Sequence, residues 1–591
     1  MKKFCFVLLF LWLGSEAIIA QNCQPLTSKD DLTFGSVPTE FDPLIDFSTI
    51  HNYPNISGFL HGFVEDDTDD TKIYPTEALI EPLNIRYFRS ARLCGYPTVR
   101  AAGDNPVFIP ILSGWWADLQ KVTNNKQDVI DKCNDISDYG SLYSAVQNLT
   151  WPEHPSVGNN DLYYEQHFKD YIDLRLADID AMGIDESDVI IDIWNEPNDV
   201  DSTGAYIYGN FSEVFIDLAQ YVKGIDENYR IAGPSTKASK ETTDENGIKT
   251  IDIDFIEQFL DDLVAHNETA SAHDKIELDV LSYHNFPHRG AVDQHTNDLN
   301  EVSDLLADTQ KDYINKLGIK ALYIGEHLGD RFYQTDNQTD PQLMNKRQYD
   351  DLYILSSYHY IEQKLRSMKN EFGLDGMAGK STWKVYDSNN PGRNPAYGAI
   401  GAFLNHDFSQ DNLEDGKGWG QGTNGDINSN YISHKLFSEM TTRFKTKYMD
   451  EDNVLIMAGK KDNDMVRLLV FQNSNGVVKK EPYDNTDQPV TIKLTNLAKE
   501  FGASNELQLV SFSYKTHKTA VLDKDDVGDL DDNHTWLSSV KQSSNIDIEY
   551  FIIDTGLTAG TALYTTNLDK MEFTVEPRRV YCIEIKKVTN P

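Results

Sequence analysis

The chain has 591 residues, 40% of them apolar, and a formal net charge of −41 at pH 7. That length admits more than one domain, each with its own core. So acidic a balance argues against nucleic acid and anionic membranes as partners, and it favours solubility.

The first residues read as a secretory signal. Lys2 and Lys3 form a basic end, Cys5 to Leu13 an apolar stretch, and Ala17-Ile18-Ile19-Ala20 a small-residue cleavage point. Residues 1–20 are therefore assigned as a signal peptide, with cleavage after Ala20 and a secreted or periplasmic product. The apolar stretch is too short to span a bilayer, and no later segment is long and apolar enough, so no membrane span is expected. Four cysteines remain in the mature chain: Cys23, Cys94, Cys133 and Cys582. Export permits disulfides, but four cysteines allow three pairings and the spacing selects none. There is no CxxC pair and no HExxH, so no metal site is assigned. Asn148 and Asn267 open glycosylation sequons.

From about residue 55 to 400, short apolar runs alternate with amphipathic stretches, which argues for a parallel sheet with crossover helices. Eight runs predict strands: Ile56–Val64, Ile85–Ala91, Val107–Gly114, Val189–Trp194, Arg230–Gly233, Leu278–Phe286, Ala321–Glu326 and Gly379–Tyr386. Helical stretches such as Phe211–Lys223 and Phe255–His266 separate them. Eight such units fit an α/β fold of the (β/α)8 TIM-barrel kind. After about residue 450 the pattern changes. Val454–Ala458, Met465–Gln472, Val490–Leu494, Leu507–Tyr514, Tyr550–Asp554 and Val580–Ile585 read as strands between turns, a C-terminal β-sandwich region. Asp31–Val37 is placed as a strand lent to it from the N-terminus. The domains are then 21–450 for the barrel and 451–591 for one or two small β domains.

The chemistry concentrates at two strand ends. Trp194-Asn195-Glu196-Pro197 closes the fourth run, and Gly325-Glu326 closes the seventh. Barrels of this kind carry their chemistry at the C-terminal ends of strands. Two carboxylates there suit glycosidic bond cleavage, which needs an acid and a nucleophile or base. Glu196 could protonate a leaving oxygen, and Asn195 could hydrogen-bond a sugar hydroxyl once a turn after Asn195, helped by Pro197, brings both over the barrel mouth. Trp194 would stiffen the site. Gly325 would let the backbone approach a ligand closely.

These motifs resemble clan A of the glycoside hydrolases, retaining (β/α)8 enzymes. The resemblance covers roughly residues 50–400. It implies Glu196 as acid/base and Glu326 as nucleophile. It also implies an arginine near the nucleophile, matched by Arg89, with His284 at the sixth strand end and Trp383 on the eighth. Within the clan the chain is most similar to family 86, the β-agarases and β-porphyranases. Gly58-Phe59-Leu60-His61-Gly62-Phe63, the Trp115-Trp116 pair and the C-terminal β region carry that likeness.

Read by residue type, Arg89 could orient Glu326 and keep it ionised. His284 could position Glu326 or bind a hydroxyl. Trp115 and Trp116 offer stacking faces for sugar rings, and His61 could bind sugar. Tyr283, His327 and Tyr386 are weaker candidates. The stretch Asp415–Asn430, with Trp419, reads as a long loop walling a cleft. Arg100, Arg289 and Arg393 are loop positions where a sulfate could be held. Asp523-Lys524-Asp525-Asp526-Val527-Gly528 starts like a calcium loop but lacks an oxygen ligand at Val527 and a glutamate at its twelfth position, so it reads as a solvated acidic loop.

The expected protein is a secreted, endo-acting retaining glycoside hydrolase cutting β-galactosidic linkages of a red-algal galactan, agarose or porphyran. It works as a monomer on a polysaccharide or oligosaccharide and needs no organic cofactor; a structural calcium ion is an unplaced addition. The alternatives are a clan A β-glycosidase on another glycan, such as a β-xylosidase or β-glucanase, and a non-catalytic carbohydrate-binding protein on the same scaffold.

Overall fold

A computed structural model describes residues 44–51, 56–60, 81–90, 95–102, 106–112, 169, 172–173, 175–198, 211–243, 249–285, 294–327, 351–381, 429–447, 454–472, 487–502, 507–515, 548–550, 570–576 and 579–587. The signal segment, His61, Trp115, Trp116, Trp383, Tyr386, Arg289, Arg393, Trp419, the acidic loop at Asp523, Asn148, and Cys23, Cys94 and Cys133 lie outside these residues.

The first described strand, β1 (Leu44–His51), belongs to the C-terminal sheet. The barrel follows. Its strands are β2 (Ser57–Leu60), β3 (Tyr87–Ser90), β4 (Val107–Leu112), β5 (Ile190–Ile193) and β6 (Arg230–Thr236). A two-stranded ribbon interrupts the series, β7 (Ala238–Thr243) with β8 (Lys249–Ile251). Then come β9 (Val280–Asn285), β10 (Ala321–His327) and β11 (Asp375–Ser381), which closes on β2. All eight barrel strands are parallel and neighbours in chain order, the TIM-barrel arrangement expected. The eighth strand is a correction. It begins at Asp375, four residues before the predicted start, because Asp375–Gly376 pair with Ala321–Leu322 despite their poor strand propensity.

Alternation sorts each strand. Ile109, Ile190, Ala232, Val280, Ala321, Tyr323 and Met377 fill the lower barrel interior. Their neighbours in sequence, such as Ile191, Leu281, Leu322 and Ile324, face outward into a larger core under the helices. The helix Phe211–Ile225 presents Phe211, Phe215, Leu218, Ala219 and Val222 to that core at helical spacing. The helix Ile253–Thr269 is capped by Asp252, whose carboxylate accepts from the Phe255 amide at 3.3 Å. Asn267, on that helix, is buried, and its side chain both donates to and accepts from the Ile276 backbone. The sequon there is thus a structural clasp, closed to a glycan in the folded chain.

The second sheet has nine strands. It comprises β1, β12 (Thr442–Lys447), β13 (Val454–Asp462), β14 (Met465–Gln472), β15 (Gln488–Thr495), β16 (Leu507–Lys515), β17 (Ile548–Tyr550), β18 (Lys570–Val575) and β19 (Arg579–Lys587). Their order is β17-β16-β19-β14-β13-β12-β1-β15-β18. The sheet folds over its own face. Gln472 on β14 donates to the Val575 carbonyl on β18 at 3.0 Å, and the Phe573 and Tyr581 rings meet at 5.6 Å. This makes the two layers of a sandwich from one continuous sheet. The lent N-terminal strand is Leu44–His51, between β12 and β15; Asp31–Val37 lies outside the described residues. Two strands of this sheet, β1 and β12, therefore come from before residue 450.

The middle strands are apolar on both faces for a reason. Ile456, Val470 and Ile583 face the sandwich interior. Leu455, Leu469, Phe471, Val580 and Cys582 face the barrel's outer core. Buried arginines tie the interface. Arg443 on β12 bonds Glu362 of the helix Asp351–Phe372 at 3.0 Å, and Arg467 on β14 donates to the Leu436 carbonyl of the helix Ser429–Ser438 at 3.0 Å. That second helix takes in Ser429 and Asn430, the last residues of the predicted long loop. Cys582 is a buried free thiol whose pKa burial pushes up. Among the described residues no helix is long and apolar enough to cross a membrane.

Candidate active site

Above the apolar filling, the barrel interior turns polar. Arg89, Asp192, Ser235, Ser282, His284 and Glu326 are all buried there. Three local departures from strand geometry put them together.

The first is at the end of β5. Simple alternation would send Asp192 in, Ile193 out, Trp194 in and Asn195 out. Instead Trp194 has φ of 84° and Glu196 φ of 53°. Positive φ is rare for side chains of this bulk and costs roughly 1–3 kcal/mol per residue. The result turns the Trp194 ring out against Phe211, with centroids 6.1 Å apart, and brings both Asn195 and Glu196 over the mouth. The turn thus starts at Trp194, before the Asn195–Pro197 turn expected from sequence. It is fastened by the Trp194 amide on the Leu112 carbonyl at 2.8 Å and the Glu196 amide on the Ser235 carbonyl at 2.9 Å. Asn198 clamps the next turn to Lys237 and to Asp252, each near 3 Å.

The second departure is a bulge in β10. Ile324 pairs with Tyr283, and Glu326, two residues on, pairs with His284, the next residue of β9. Gly325 is the extra residue. It shifts the parity of everything after it, so Glu326 joins His284 on the inward side. Gly325 was expected to admit a ligand. In the structure a Cβ there would meet His284 Cδ2 at 3.3 Å and Arg89 Nε at 3.4 Å, so the glycine makes room for the site's own side chains. The third departure, in β6, is a register shift between Pro234 and Thr236 against β9; Ser235, at φ of 52°, lies inside it.

Arg89 is the hub. Each of its nitrogens has a different partner: Nε donates to Asp192 Oδ2 at 2.7 Å, Nη1 to Glu326 Oε1 at 2.9 Å and Nη2 to Asn195 Oδ1 at 3.0 Å. Burial works against its charge, but Asp192 and Glu326 outweigh that and raise its pKa. His284 stands between the two glutamates. Its Nδ1 is 3.1 Å from Glu196 Oε1 and its Nε2 is 3.9 Å from Glu326 Oε1. An oxygen of Glu196, an oxygen of Glu326 and a ring nitrogen of His284 lie within 4.8 Å of one another. Such a trio could hold a cation, but the Arg89 guanidinium already supplies positive charge to Glu326. Glu326 Oε2 has no hydrogen bond among the described residues. One held oxygen, one open oxygen and a second carboxylate nearby can perform nucleophilic and acid–base chemistry on one bond.

Glu196, Glu326, Asn195, Arg89 and His284 are therefore brought together. Tyr283 and His327 are not. Tyr283 faces the outer core, where burial and then Asp298 raise its pKa, and the His327 ring packs edge-on to Tyr358 at 5.5 Å. Arg100 donates to the Gly183 carbonyl at 2.7 Å, ahead of β5 and at the end of the barrel away from the mouth. Asp192, Ser235 and Ser282 were missed from sequence. Asp192 had a signal: a lone carboxylate inside Val-Ile-Ile-Asp-Ile needs a buried cation.

No protein-family model matches the chain, and no curated protein does. Solved structures do. A bacterial orthologue of human α-L-iduronidase is similar with a TM-score of 0.51 at 10% identity, over 93% of this chain and 84% of that one. A monomeric β-xylosidase from Caulobacter crescentus CB15 gives 0.49 at 13%, over 93% and 99%. A GH39 enzyme from Xanthomonas axonopodis pv. citri gives 0.49 at 14%, over 92% and 97%. The likeness to the iduronidase orthologue runs along most of both chains, so what the two share is the whole fold.

Proposed function

We propose that this chain is a retaining glycoside hydrolase with Glu196 as acid/base and Glu326 as nucleophile. One observation carries the reading: carboxylate oxygens of these residues approach within 4.8 Å beside a guanidinium that holds only one oxygen of Glu326. Retaining enzymes keep their two carboxyls about 5–5.5 Å apart, whereas inverting enzymes separate them by roughly 6.5–9.5 Å to admit a water.

The proposed steps are these. Glu196 gives its proton to the glycosidic oxygen as Glu326 Oε2 attacks the anomeric carbon. The carbon–oxygen bond breaks, the leaving sugar departs as an alcohol, and a glycosyl ester forms on Glu326. Glu196, now ionised, takes a proton from water, the hydroxide oxygen attacks the anomeric carbon, and Glu326 is released. His284 serves both halves as the Nδ1–H tautomer, donating to Glu196 Oε1 while Oε2 carries or accepts the travelling proton. Asn195, held by Arg89, is available to a sugar hydroxyl. The carboxylates of Asp192 and Glu326 favour the positive charge that develops on the sugar ring.

For substrate, we take the β-galactosidic linkages of a red-algal galactan, cut within the polymer; the sequence resemblance to family 86 supports this. The signal-like N-terminus supports a secreted or periplasmic enzyme, and we take it to act as a monomer. The test is hydrolysis of agarose, porphyran, xylan and β-glucan, with the anomeric configuration of fresh product followed by proton NMR. Initial β-product from a galactan supports the whole reading. β-Product from xylan or glucan alone moves the substrate. Initial α-product removes the double displacement, and glycan binding without product makes the chain a binding protein.

A further inference from the structure

The polar layer contains a buried chain of groups whose bonds to one another the reaction steps above do not use. Ser282 on β9, Ser235 on β6, Asp192 on β5 and Arg89 on β3 link four strands of the barrel. Its direction follows from counting protons. Ser235 Oγ is 2.6 Å from Asp192 Oδ1, and an ionised carboxylate only accepts, so Ser235 spends its one O–H there. Ser282, 2.8 Å from Ser235, must then donate to it. Asp192 ends with one oxygen held by a hydroxyl and the other by Arg89 Nε at 2.7 Å.

This matters because of what an arginine does when left to itself. A guanidinium beside a carboxylate prefers a bidentate fork, two parallel N–H donors on two oxygens. On Glu326 that fork would capture Oε2, the oxygen the reaction needs. Arg89 is monodentate on Glu326 instead. Its Nε is committed to Asp192 and its Nη2 to Asn195, and because the guanidinium is planar these two bonds fix its orientation.

We propose that Asp192, braced by Ser235 and Ser282, is a positioning residue that keeps Arg89 off Glu326 Oε2 and so leaves the nucleophile open. The inference rests on Glu326 being the nucleophile. Removing Asp192 lets Arg89 swing to a bidentate pair, which blocks Oε2 and puts more positive charge on Glu326. Among the described residues, the other ionisable groups facing Glu326 are His284 from β9, Glu196 from the loop after β5 and Tyr323 from β10 itself.

The experiment compares kcat/KM on aryl glycosides of two leaving groups, dinitrophenyl and an unactivated phenyl. Dinitrophenolate departs without an acid, so its rate reports the nucleophile alone. Asp192→Ala, shown folded by its melting curve, is expected to lose about 100-fold on both substrates, with the acidic limb of the pH profile moved to lower pH. Asp192→Asn can still accept from Nε and donate to Ser235, and it is expected to recover about tenfold of that loss. Ser235→Ala, the fallback if Asp192→Ala does not fold, is expected to lose about tenfold on both. Glu196→Gln, in contrast, slows mainly the phenyl substrate. An Asp192→Ala enzyme within about twofold of wild type on the dinitrophenyl substrate overturns the inference alone. So does a loss confined to the phenyl substrate, which would assign Asp192 to the acid. Wild-type chain that hydrolyses neither agarose, porphyran, xylan and β-glucan nor the aryl glycosides of their oligosaccharides removes the glycosidase reading and this inference together.

Discussion

The barrel interior is two layers built on the same strands. Below, Ile109, Ile190, Ala232, Val280 and Met377 pack as hydrocarbon on regular backbone. Further along, β3, β5, β6, β9 and β10 carry Arg89, Asp192, Ser235, Ser282, His284 and Glu326, and two register shifts and three positive-φ residues accompany them. The lower layer is stabilised by burial and asks nothing unusual of the backbone. The upper layer spends stability on desolvated charge and strain, and it stays folded because the layer beneath is well packed. Stability and chemistry should therefore separate by height in the barrel.

The largest effect that would break this picture is at the top. Glu326→Gln keeps size and a hydrogen-bond acceptor for Arg89 but cannot form the ester. kcat should fall about 10⁴-fold or more on the best glycan, with the melting temperature nearly unchanged. Gly325→Ala is subtler. The new methyl must push His284 and Arg89 by a few tenths of an ångström. Activity should drop about tenfold, at a stability cost of about 1–3 kcal/mol in urea titration.

Ile190→Ala tests the lower layer and should show the reverse. It should cost about 2–5 kcal/mol in denaturant titration while kcat at a temperature where the variant is folded stays near wild type. A large loss of kcat there would join the two layers into one functional unit.

The smallest effect lies outside both layers. Burial, with Arg366 adding to it, holds the His359 pKa down to about 3. In an unfolded chain a histidine titrates near 6.5. Below that value the unfolded state binds a proton that the folded state refuses, so stability falls as pH drops from about 6.5 towards 3. The loss from this group should be about 1 kcal/mol by roughly pH 5.5, and His359→Gln should flatten that part of the curve.

Much of the lower layer was legible because a strand buried on both faces is apolar in successive residues, as in Val189–Ile191. The eighth strand was set late because Asp375-Gly376 gives little apolar signal before Met377. The carboxylates of Glu196 and Glu326 were legible from their strand-end places. The backbone that turns them inward was not. It depends on a bulge at Gly325 and positive φ at Trp194, and neither changes the composition that periodicity reads. Asp192 was visible as an isolated charge in an apolar run, and asking for its counter-ion would have led to Arg89. The strand Leu44–His51 was the hardest, since what makes it a strand is partners far along the chain.

That last strand sets a timetable. Leu44 lies between Lys447 and Lys493, the first of which is about 400 residues further on. A chain emerging N-terminus first, at roughly 5–20 residues per second, leaves this segment without either neighbour for about 20–80 s. During that wait it is an open strand edge carrying Ile45 and Phe47, both destined for the sandwich core. The barrel has to be made before the piece that precedes it can be seated. The first of the described strands to emerge is thus among the last to dock, and aggregation during synthesis should be most sensitive to these eight residues.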